Sequence, residues 1–339
     1  MESRDPNLVR KSCFDFKSRL AWPNQENVNI FAASVSRSKI LEFAHSTEGL
    51  STNRFDDEIR FTSPDEEAGF ILIAHGLDFG SGFRNLLHKH RAGQGAWLTI
   101  RAGILKIGKE KSAMDADWLR SLTIEQVKDF FDCNVLDLAP LAKQLHQSIQ
   151  EFGNQLGVLG FSTPGEFIAT HKSKGAAGLV EVLVNAFPLT FRDEYILDDQ
   201  QICFYKKAQL VVSEIYMRFA REDFSFKFAD IDKLTAFVDN VVVAMMRMTN
   251  VVECEAALAA RIESGEYIIK GSEEEVALRS AALIGVEWLV VALNEKVDEL
   301  DVAERVNAQV VCNWLWGSVG KTGANRRFPR HLTPSTSYY

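Results

Sequence analysis

Apolar residues recur every three to four positions along much of this chain, which is the spacing of one buried face of an α-helix. The spacing predicts one helix from about Phe204 to Phe219 and a second from about Ile231 to Met248. A third helical pattern starts at Val302 and stops near Gly317. The short apolar run Phe70–Ala74 fits a buried strand and a buried helix equally well, because so few residues do not distinguish the two periods.

Three short polar motifs predict where helices begin. Thr123–Gln126 has the spacing of a capping box, in which two side chains bond the first backbone amides of a helix. Thr163–Glu166 combines an N-cap threonine with a proline at the first helical position and an acid at the third. Ser272–Glu275 repeats the device and predicts a long helix from Glu273 to Lys296.

These patterns predict a mostly α fold. Alternating strand and helix units are missing from the sequence pattern, which argues against a Rossmann or barrel fold. We predict a single helical domain over residues 69–339, preceded by an N-terminal region, residues 1–68, that packs onto it. The last part of that region, residues 46–68, is polar and acidic and is predicted to be a surface loop.

Composition narrows the class of protein. The 339 residues are 46% hydrophobic and 25% charged, which is typical of a globular chain rather than a disordered one. The net charge of −8 argues against a protein that wraps a nucleic-acid backbone, so we predict no direct nucleic-acid partner. A pocket for a single phosphate stays compatible with this charge, because it needs only a few basic residues.

The cysteines and the apolar segments point to a compartment. Five cysteines are dispersed without a CxxC motif or a short Cys/His spacing, which predicts buried free thiols in a reducing environment. The segment Met1–Phe16 lacks the apolar centre of a signal peptide. The run Ala281–Leu293 contains Glu287 and is too short to span a bilayer. We therefore predict a cytoplasmic protein with no membrane partner, a nuclear location being the alternative.

Taken alone, the residues predict no cofactor and no metal site. The chain has no GxGxxG fingerprint, and Gly317–Thr322 lacks the full spacing of a phosphate loop. Two charged residues, Lys206 and Asp239, fall inside the apolar helical patterns. Each is compatible with an exposed helix face, and both together beside a pocket would form an electrostatic site for a sugar phosphate. The residues alone leave both interpretations open.

A series of short motifs occurs in a fixed order along the chain. They are Leu77–Phe79, Gln126–Phe131, Ala186–Asp193, Phe204–Gln209, Phe228–Asp239, Gly271–Arg279, Val286–Glu287, Leu315–Trp316 and Pro329–Tyr339. In this order the motifs resemble the queuosine salvage protein family, whose members hydrolyse queuosine 5′-phosphate to free queuine. The resemblance covers residues from about 70 to the end of the sequence.

The resemblance implies an α-helical fold similar to helix-hairpin-helix DNA glycosylases, and cleavage of the N-glycosidic bond of a small-molecule nucleotide without a cofactor. The released queuine is then available for insertion into tRNA. The implied catalytic positions are Asp239 and Cys312, the latter standing at the position of the family acid. The implied substrate-binding residues are Asp78, Phe79, Tyr205, Lys206, Phe237, Val238, Asn313, Trp316 and Gly317.

The chain departs from the family where chemistry is expected. The family has an aspartate at the position of Cys312 and a second aspartate at the position of Gly317. One expected function is an N-glycosidase that works through Asp239 and a further acid such as Glu304. The alternative is a catalytically degenerate or retargeted relative that binds a nucleoside-like ligand or a protein partner. We favour the first. We expect hydrolysis of queuosine 5′-phosphate to be weak or absent, because a neutral thiol does not supply the charge of the missing acid.

Overall fold

The computed structural model describes residues 3–45, 55–90, 95–219, 224–295, 305–318 and 327–339. The prediction of a mostly α fold is confirmed, since 66% of the residues are helical and 5% lie in strands. The helices are α1 (Pro6–Asp15), α2 (Gln25–Ser34), α3 (Arg37–His45), α4 (Pro64–Gly76), α5 (Arg84–His90), α6 (Ala96–Glu110), α7 (Ala116–Ser121), α8 (Ile124–Phe130), α9 (Ala139–Leu159), α10 (Pro164–His171), α11 (Gly175–Ala186), α12 (Pro188–Phe191), α13 (Lys206–Phe219), α14 (Asn240–Met248), α15 (Ala256–Glu263), α16 (Glu273–Asn294) and α17 (Ala308–Ser318). The strands are β1 (Ala21–Pro23), β2 (Glu194–Leu197), β3 (Gln200–Cys203) and β4 (Val252–Cys254).

The chain forms two compact units, each built from separate stretches of sequence. The first unit contains residues 1–52, 194–206 and 232–332. The second unit contains residues 53–193, 207–231 and 333–339. The predicted division at residue 68 follows the linear order of the sequence and stays a prediction.

The first unit is organised around α16. The Ser272 hydroxyl accepts a hydrogen bond from the Glu275 amide, which confirms the predicted start of this helix. Residues 275–286 are all buried, and α16 packs against α1, α2, α14, α17, β1 and β4. Among the described residues it is the one helix long and apolar enough to cross a membrane, although 72% of its apolar window is buried inside the structure. A core helix passes the same test.

Two small antiparallel sheets complete the first unit. β1 pairs with β4, so that Ala21 lies opposite Cys254. β2 and β3 form a hairpin whose two turn residues, Asp198 and Asp199, have φ values of 47° and 62°. Aspartate tolerates this left-handed conformation better than most residues, and two such residues match the twist of a tight hairpin.

In the second unit, the helices pack at unusually close range. A side chain at Gly69 of α4 would come within 2.2 Å of the Gly165 backbone of α10, so only glycine permits this approach. Both predicted helix starts in this unit are confirmed. The capping box of Thr123 and Gln126 lies at the start of α8. At the start of α10, the Thr163 hydroxyl accepts a hydrogen bond from the Glu166 amide at 3.1 Å.

The run Phe70–Ala74, for which the sequence left strand and helix open, belongs to the helix α4. Two predicted elements differ from the structure. Because α4 begins after Ser63, the predicted loop ends earlier than residue 68. Residues 46–54 of that loop lie outside the described residues, and Phe55 within it is buried rather than at the surface. The third helical pattern is α17, which begins at Ala308, and residues 302–304 lie outside the described residues.

The helix predicted from Ile231 is the clearest correction. Ile231–Lys233 form a single 3-10 turn, residues 234–239 are irregular, and α14 starts only at Asn240. The reason is the Asp239 side chain, which accepts hydrogen bonds from the first backbone amides of α14 and so fixes the start of the helix. Similarly, the helix predicted from Phe204 begins at Lys206, because Tyr205 has a φ of 48°, which no α-helix accommodates.

The buried His331 gives the first unit a dependence on pH. Burial, reinforced by the positive charges of Arg279 and Arg247, lowers the pKa of His331 from 6.5 to about 3. The unfolded chain therefore binds one more proton than the folded chain between these values, so stability falls as the pH drops below 6.5.

We expect His331→Asn to reduce this dependence by up to about 1.4 kcal/mol per pH unit. Urea unfolding of both proteins at pH 7, 6 and 5 measures it. Equal slopes in the two proteins would contradict the assignment.

Candidate active site

Asp239 is a buried carboxylate at the N-terminus of α14. Its side chain is 9% exposed, and Oδ1 accepts hydrogen bonds from the Val241 amide at 2.8 Å and the Val242 amide at 2.9 Å. The positive end of the helix dipole also favours a negative charge at this position. Both bonds use Oδ1, so the helix start holds the carboxylate through one oxygen. The interpretation of Asp239 as an exposed helix face is therefore wrong.

Lys206 is the first residue of α13 and is 5% exposed, so the exposed-face interpretation is wrong for this residue also. It follows Tyr205, a fully buried aromatic residue in the left-handed conformation. For a bulky side chain this conformation costs about 1–3 kcal/mol and persists only where the surroundings hold it.

A chain of hydrogen bonds holds Tyr205 in this conformation. Its hydroxyl donates to Glu194 Oε1 at 2.6 Å, and the Arg4 guanidinium donates to the same oxygen at 2.8 Å. Burial, followed by the neighbouring Cys203 and Glu194, raises the pKa of Tyr205, so the hydroxyl stays protonated and remains a donor. The strained residue therefore fixes the backbone conformation immediately before Lys206.

Cys312 lies on α17, is 2% exposed, and is surrounded by charges. Burial, together with the negative charges of Asp239 and Glu287, raises the pKa of its thiol to about 12. A hydrogen bond from the Phe237 backbone and the positive charge of Lys206 act in the opposite direction. The structure thus brings Asp239, Lys206 and Glu287 within Coulombic range of one neutral thiol.

Glu287 was not assigned a role from the sequence. It is held by Arg10, whose Nε and Nη2 donate to its two carboxylate oxygens at 3.1 and 3.2 Å. The signal that could have found it is the one that singled out Asp239, an acid inside an apolar helical pattern. Glu304, the further acid named from the sequence, and Gly320–Thr322 of the phosphate-loop-like segment lie outside the described residues.

The other substrate-binding residues predicted in the first unit are close in sequence to Cys312 or to Asp239. Trp316 follows Cys312 by one helical turn and is 41% exposed, while Asn313 is half-buried. Gly317 is exposed, but a side chain there would come within 2.5 Å of the Phe43 ring. Phe237 and Val238, the two residues before Asp239, are both buried.

Asp78 and Phe79 belong to the second unit. Phe79 is 1% exposed, and the ammonium of Lys207 lies 4.7 Å from its ring centroid. The same ammonium donates to the Gly76 carbonyl at 2.6 Å. This cation–π contact and hydrogen bond fix the end of α4, after which Asp78 is half-buried.

In the part of the chain that the structure describes, no group of three or more His, Cys, Asp or Glu side chains has the arrangement of a metal site. Around Cys312 the site contains the carboxylates of Asp239 and Glu287 and the ammonium of Lys206. The aromatic ring of Trp316 lies on the same helix as Cys312. Such groups stabilise a cationic centre, hold an anion and stack on a flat base.

Comparisons with known proteins agree with this chemistry. A model described as queuosine salvage protein matches residues 84–339. A protein of Nematostella vectensis, named queuosine 5′-phosphate N-glycosylase/hydrolase, is 27% identical over 261 residues, which are 74% of this chain and 74% of the relative. A protein of the same name from Sphaerobacter thermophilus is 31% identical over 224 residues, which cover 66% of this chain and 66% of the relative. A third, from Mus musculus, is 26% identical over 188 residues, which cover 55% of this chain and 53% of the relative.

The cysteine environments generate a labelling prediction. Four cysteines are buried and only Cys254 is partly exposed, so the expectation of five buried thiols is confirmed for four of them. Because the thiolate is the reactive form, we expect iodoacetamide at pH 8 to label Cys254 rapidly and Cys312 hardly at all. Peptide mass spectrometry measures the labelled sites, with urea-unfolded protein as the control that labels all five. Rapid labelling of Cys312 in the native protein would refute the raised pKa.

Proposed function

The chain belongs to the queuosine salvage protein family, and we propose that it hydrolyses the N-glycosidic bond of queuosine 5′-phosphate to release queuine. The observation that carries the proposal is the Asp239 carboxylate, which is buried, held at a helix start and close to the position of the family acid. The relatives that carry the name of this hydrolase support the same conclusion.

The proposed chemistry follows from the charge that hydrolysis creates. As the bond between C1′ and the base nitrogen breaks, positive charge develops on C1′ and the ring oxygen. A carboxylate beside C1′ stabilises this charge, which a water molecule then neutralises by bonding its oxygen to C1′ and releasing one proton. The base leaves with the bonding electron pair and takes up a proton, giving queuine, while the sugar leaves as ribose 5-phosphate.

In this proposal, Asp239 supplies the negative charge at C1′. Its Oδ1 is engaged by the two amides of α14, so Oδ2 is the oxygen that faces the sugar. Lys206 supplies a positive charge for the phosphate, and the exposed ring of Trp316 stacks on the base. Tyr205, Phe237, Val238, Asn313 and Gly317, with Asp78 and Phe79, stay proposed substrate contacts that rest on the family resemblance.

Glu287 is a weaker candidate than Asp239 for the same role. Arg10 engages both of its carboxylate oxygens, which neutralises most of its charge. Cys312 contributes no charge, because its thiol stays protonated near neutral pH. The proposed enzyme therefore works with one acid where the family pattern has more.

The alternative, a noncatalytic or retargeted relative, is not favoured, because each of the relatives compared carries the name of the hydrolase. We extend the proposal to a helical arrangement similar to helix-hairpin-helix DNA glycosylases and to a location in the cytoplasm. We also propose that the substrate is a free nucleotide, with no direct contact to nucleic acid or membrane. The net charge of −8 supports this last point.

Asp239→Asn should separate catalysis from folding. Asparagine caps a helix as well as aspartate, so we expect the free energy of unfolding to change by less than about 0.5 kcal/mol. Loss of the negative charge should lower turnover of queuosine 5′-phosphate by at least about 100-fold. Queuine release is measured by chromatography and stability by urea unfolding. Asp239→Ala, which also loses the cap, is the control and should cost about 1 kcal/mol. An Asp239→Asn protein that turns over at the natural rate would rule out the proposed role.

Cys312→Asp should raise the rate. It places a carboxylate at the position of the family acid, and a preorganised charge of this kind typically contributes about 10²–10³-fold. We expect an increase of at least about tenfold in queuine release, whereas the neutral Cys312→Ser should leave the rate nearly unchanged. If the natural protein is already fully active and Cys312→Asp changes nothing, no acid is missing at this position, and Asp239 supplies the required charge alone.

A further inference from the structure

Arg279 is a fully buried guanidinium in the middle of α16. A guanidinium stays charged at any accessible pH, so its burial requires partners that compensate for lost water. Glu275, one turn earlier and also fully buried, lies 3.7 Å away, and the Tyr195 hydroxyl accepts a hydrogen bond from Nη1 at 3.5 Å. These two partners neutralise and orient the group.

Two further contacts of Arg279 reach the two segments that carry the proposed site charges. Its Nε donates to the Val238 carbonyl at 3.2 Å, and this carbonyl belongs to the peptide group that joins Val238 to Asp239. Its Cζ lies 4.0 Å from the ring centroid of Phe204, two residues before Lys206. One rigid, planar group therefore contacts both segments at once.

The segment before Asp239 needs such support. Residues 234–239 lack the repeating backbone bonds of a helix or strand, so their position depends on individual contacts. On the far side of Asp239, the Asn240 side chain donates to the His331 carbonyl at 3.1 Å. The residues on both sides of Asp239 are thus held by buried hydrogen bonds, and the one from Arg279 comes from a group that also contacts Phe204, in the Lys206 segment.

We propose that Arg279 is a positioning residue of the hydrolase, whose guanidinium fixes Asp239 relative to Lys206 through the Val238 carbonyl and the Phe204 ring. The inference rests on the proposed function, because the location of Asp239 matters for catalysis only if this site hydrolyses a nucleotide. A displacement of about 1 Å is sufficient to cost about 100-fold in rate.

The test compares Arg279→Lys with Glu275→Gln. Lysine keeps a positive charge opposite Glu275, but its single ammonium does not reproduce the Nε donor and the planar stack on Phe204. Glu275→Gln weakens the same buried ion pair and leaves both contacts of Arg279 in place. Both variants therefore weaken the ion pair between residues 275 and 279. They differ in the contacts to the Val238 carbonyl and the Phe204 ring, which only Arg279→Lys loses.

We expect both variants to lower the temperature of unfolding, and only Arg279→Lys to lower kcat, by about 100-fold with KM within about threefold of the natural value. Kinetics with queuosine 5′-phosphate are measured well below the unfolding midpoint of each variant. A loss of kcat that is the same in both variants, or absent in both, would overturn the proposal, because a purely structural residue acts through stability alone.

A second measurement stands independently of turnover. If the natural protein releases no queuine, the proposed function fails, and crystal structures of the two variants still decide the geometric claim. Displacement of the Asp239 carboxylate by about 1 Å in Arg279→Lys but not in Glu275→Gln supports a positioning role. An Asp239 carboxylate that stays in place in Arg279→Lys refutes it.

Discussion

The first unit depends on the neutralisation of one positive charge inside its central helix. Removing a guanidinium from water costs several kcal/mol unless a carboxylate and hydrogen-bond acceptors replace the solvent. Around Arg279 these replacements come from the same helix, from the hairpin and from the segment before α14. Its charge also disfavours protonation of His331. The carbonyl of Val238, in the irregular segment before α14, is therefore held by the same side chain.

The acids of the candidate site differ in how their charge is balanced. Asp239 is held by neutral backbone amides, which leave its negative charge in place, whereas Glu287 is held by the cationic Arg10. A carboxylate of the first kind retains its attraction for a cation that forms beside it. This contrast makes Asp239 the better candidate to stabilise an oxocarbenium ion, even though both acids influence the pKa of the same thiol.

The sequence predicts correctly those elements that depend on neighbouring residues, namely helices with a regular apolar spacing and helix starts with an N-cap residue. Apolar spacing predicted the helices α13, α14 and α17, and the hydroxyl caps at Thr123, Thr163 and Ser272 placed helix starts correctly. It failed at Tyr205 and at residues 234–239, because tertiary contacts there override helical periodicity. Each of the two units is assembled from separate segments, such as 194–206 and 232–332, and apolar spacing along the chain does not predict associations across such long sequence separations. Of the candidate site, the buried charges were singled out correctly as unusual, but neither burial nor Glu287 was evident from spacing alone.

The contacts of α1 constrain how the protein is made on the ribosome. The Ser12 hydroxyl accepts a hydrogen bond from the Cys203 amide, and Arg10 forms an ion pair with Glu287, 277 residues further along the chain. During synthesis, Ser12 and Arg10 are therefore made long before the residues that they contact. At about 5–20 residues per second, the wait for Glu287 lasts on the order of ten seconds to one minute. Over that time the face of α1 that is buried in the folded protein lacks the surface of α16 against which it packs.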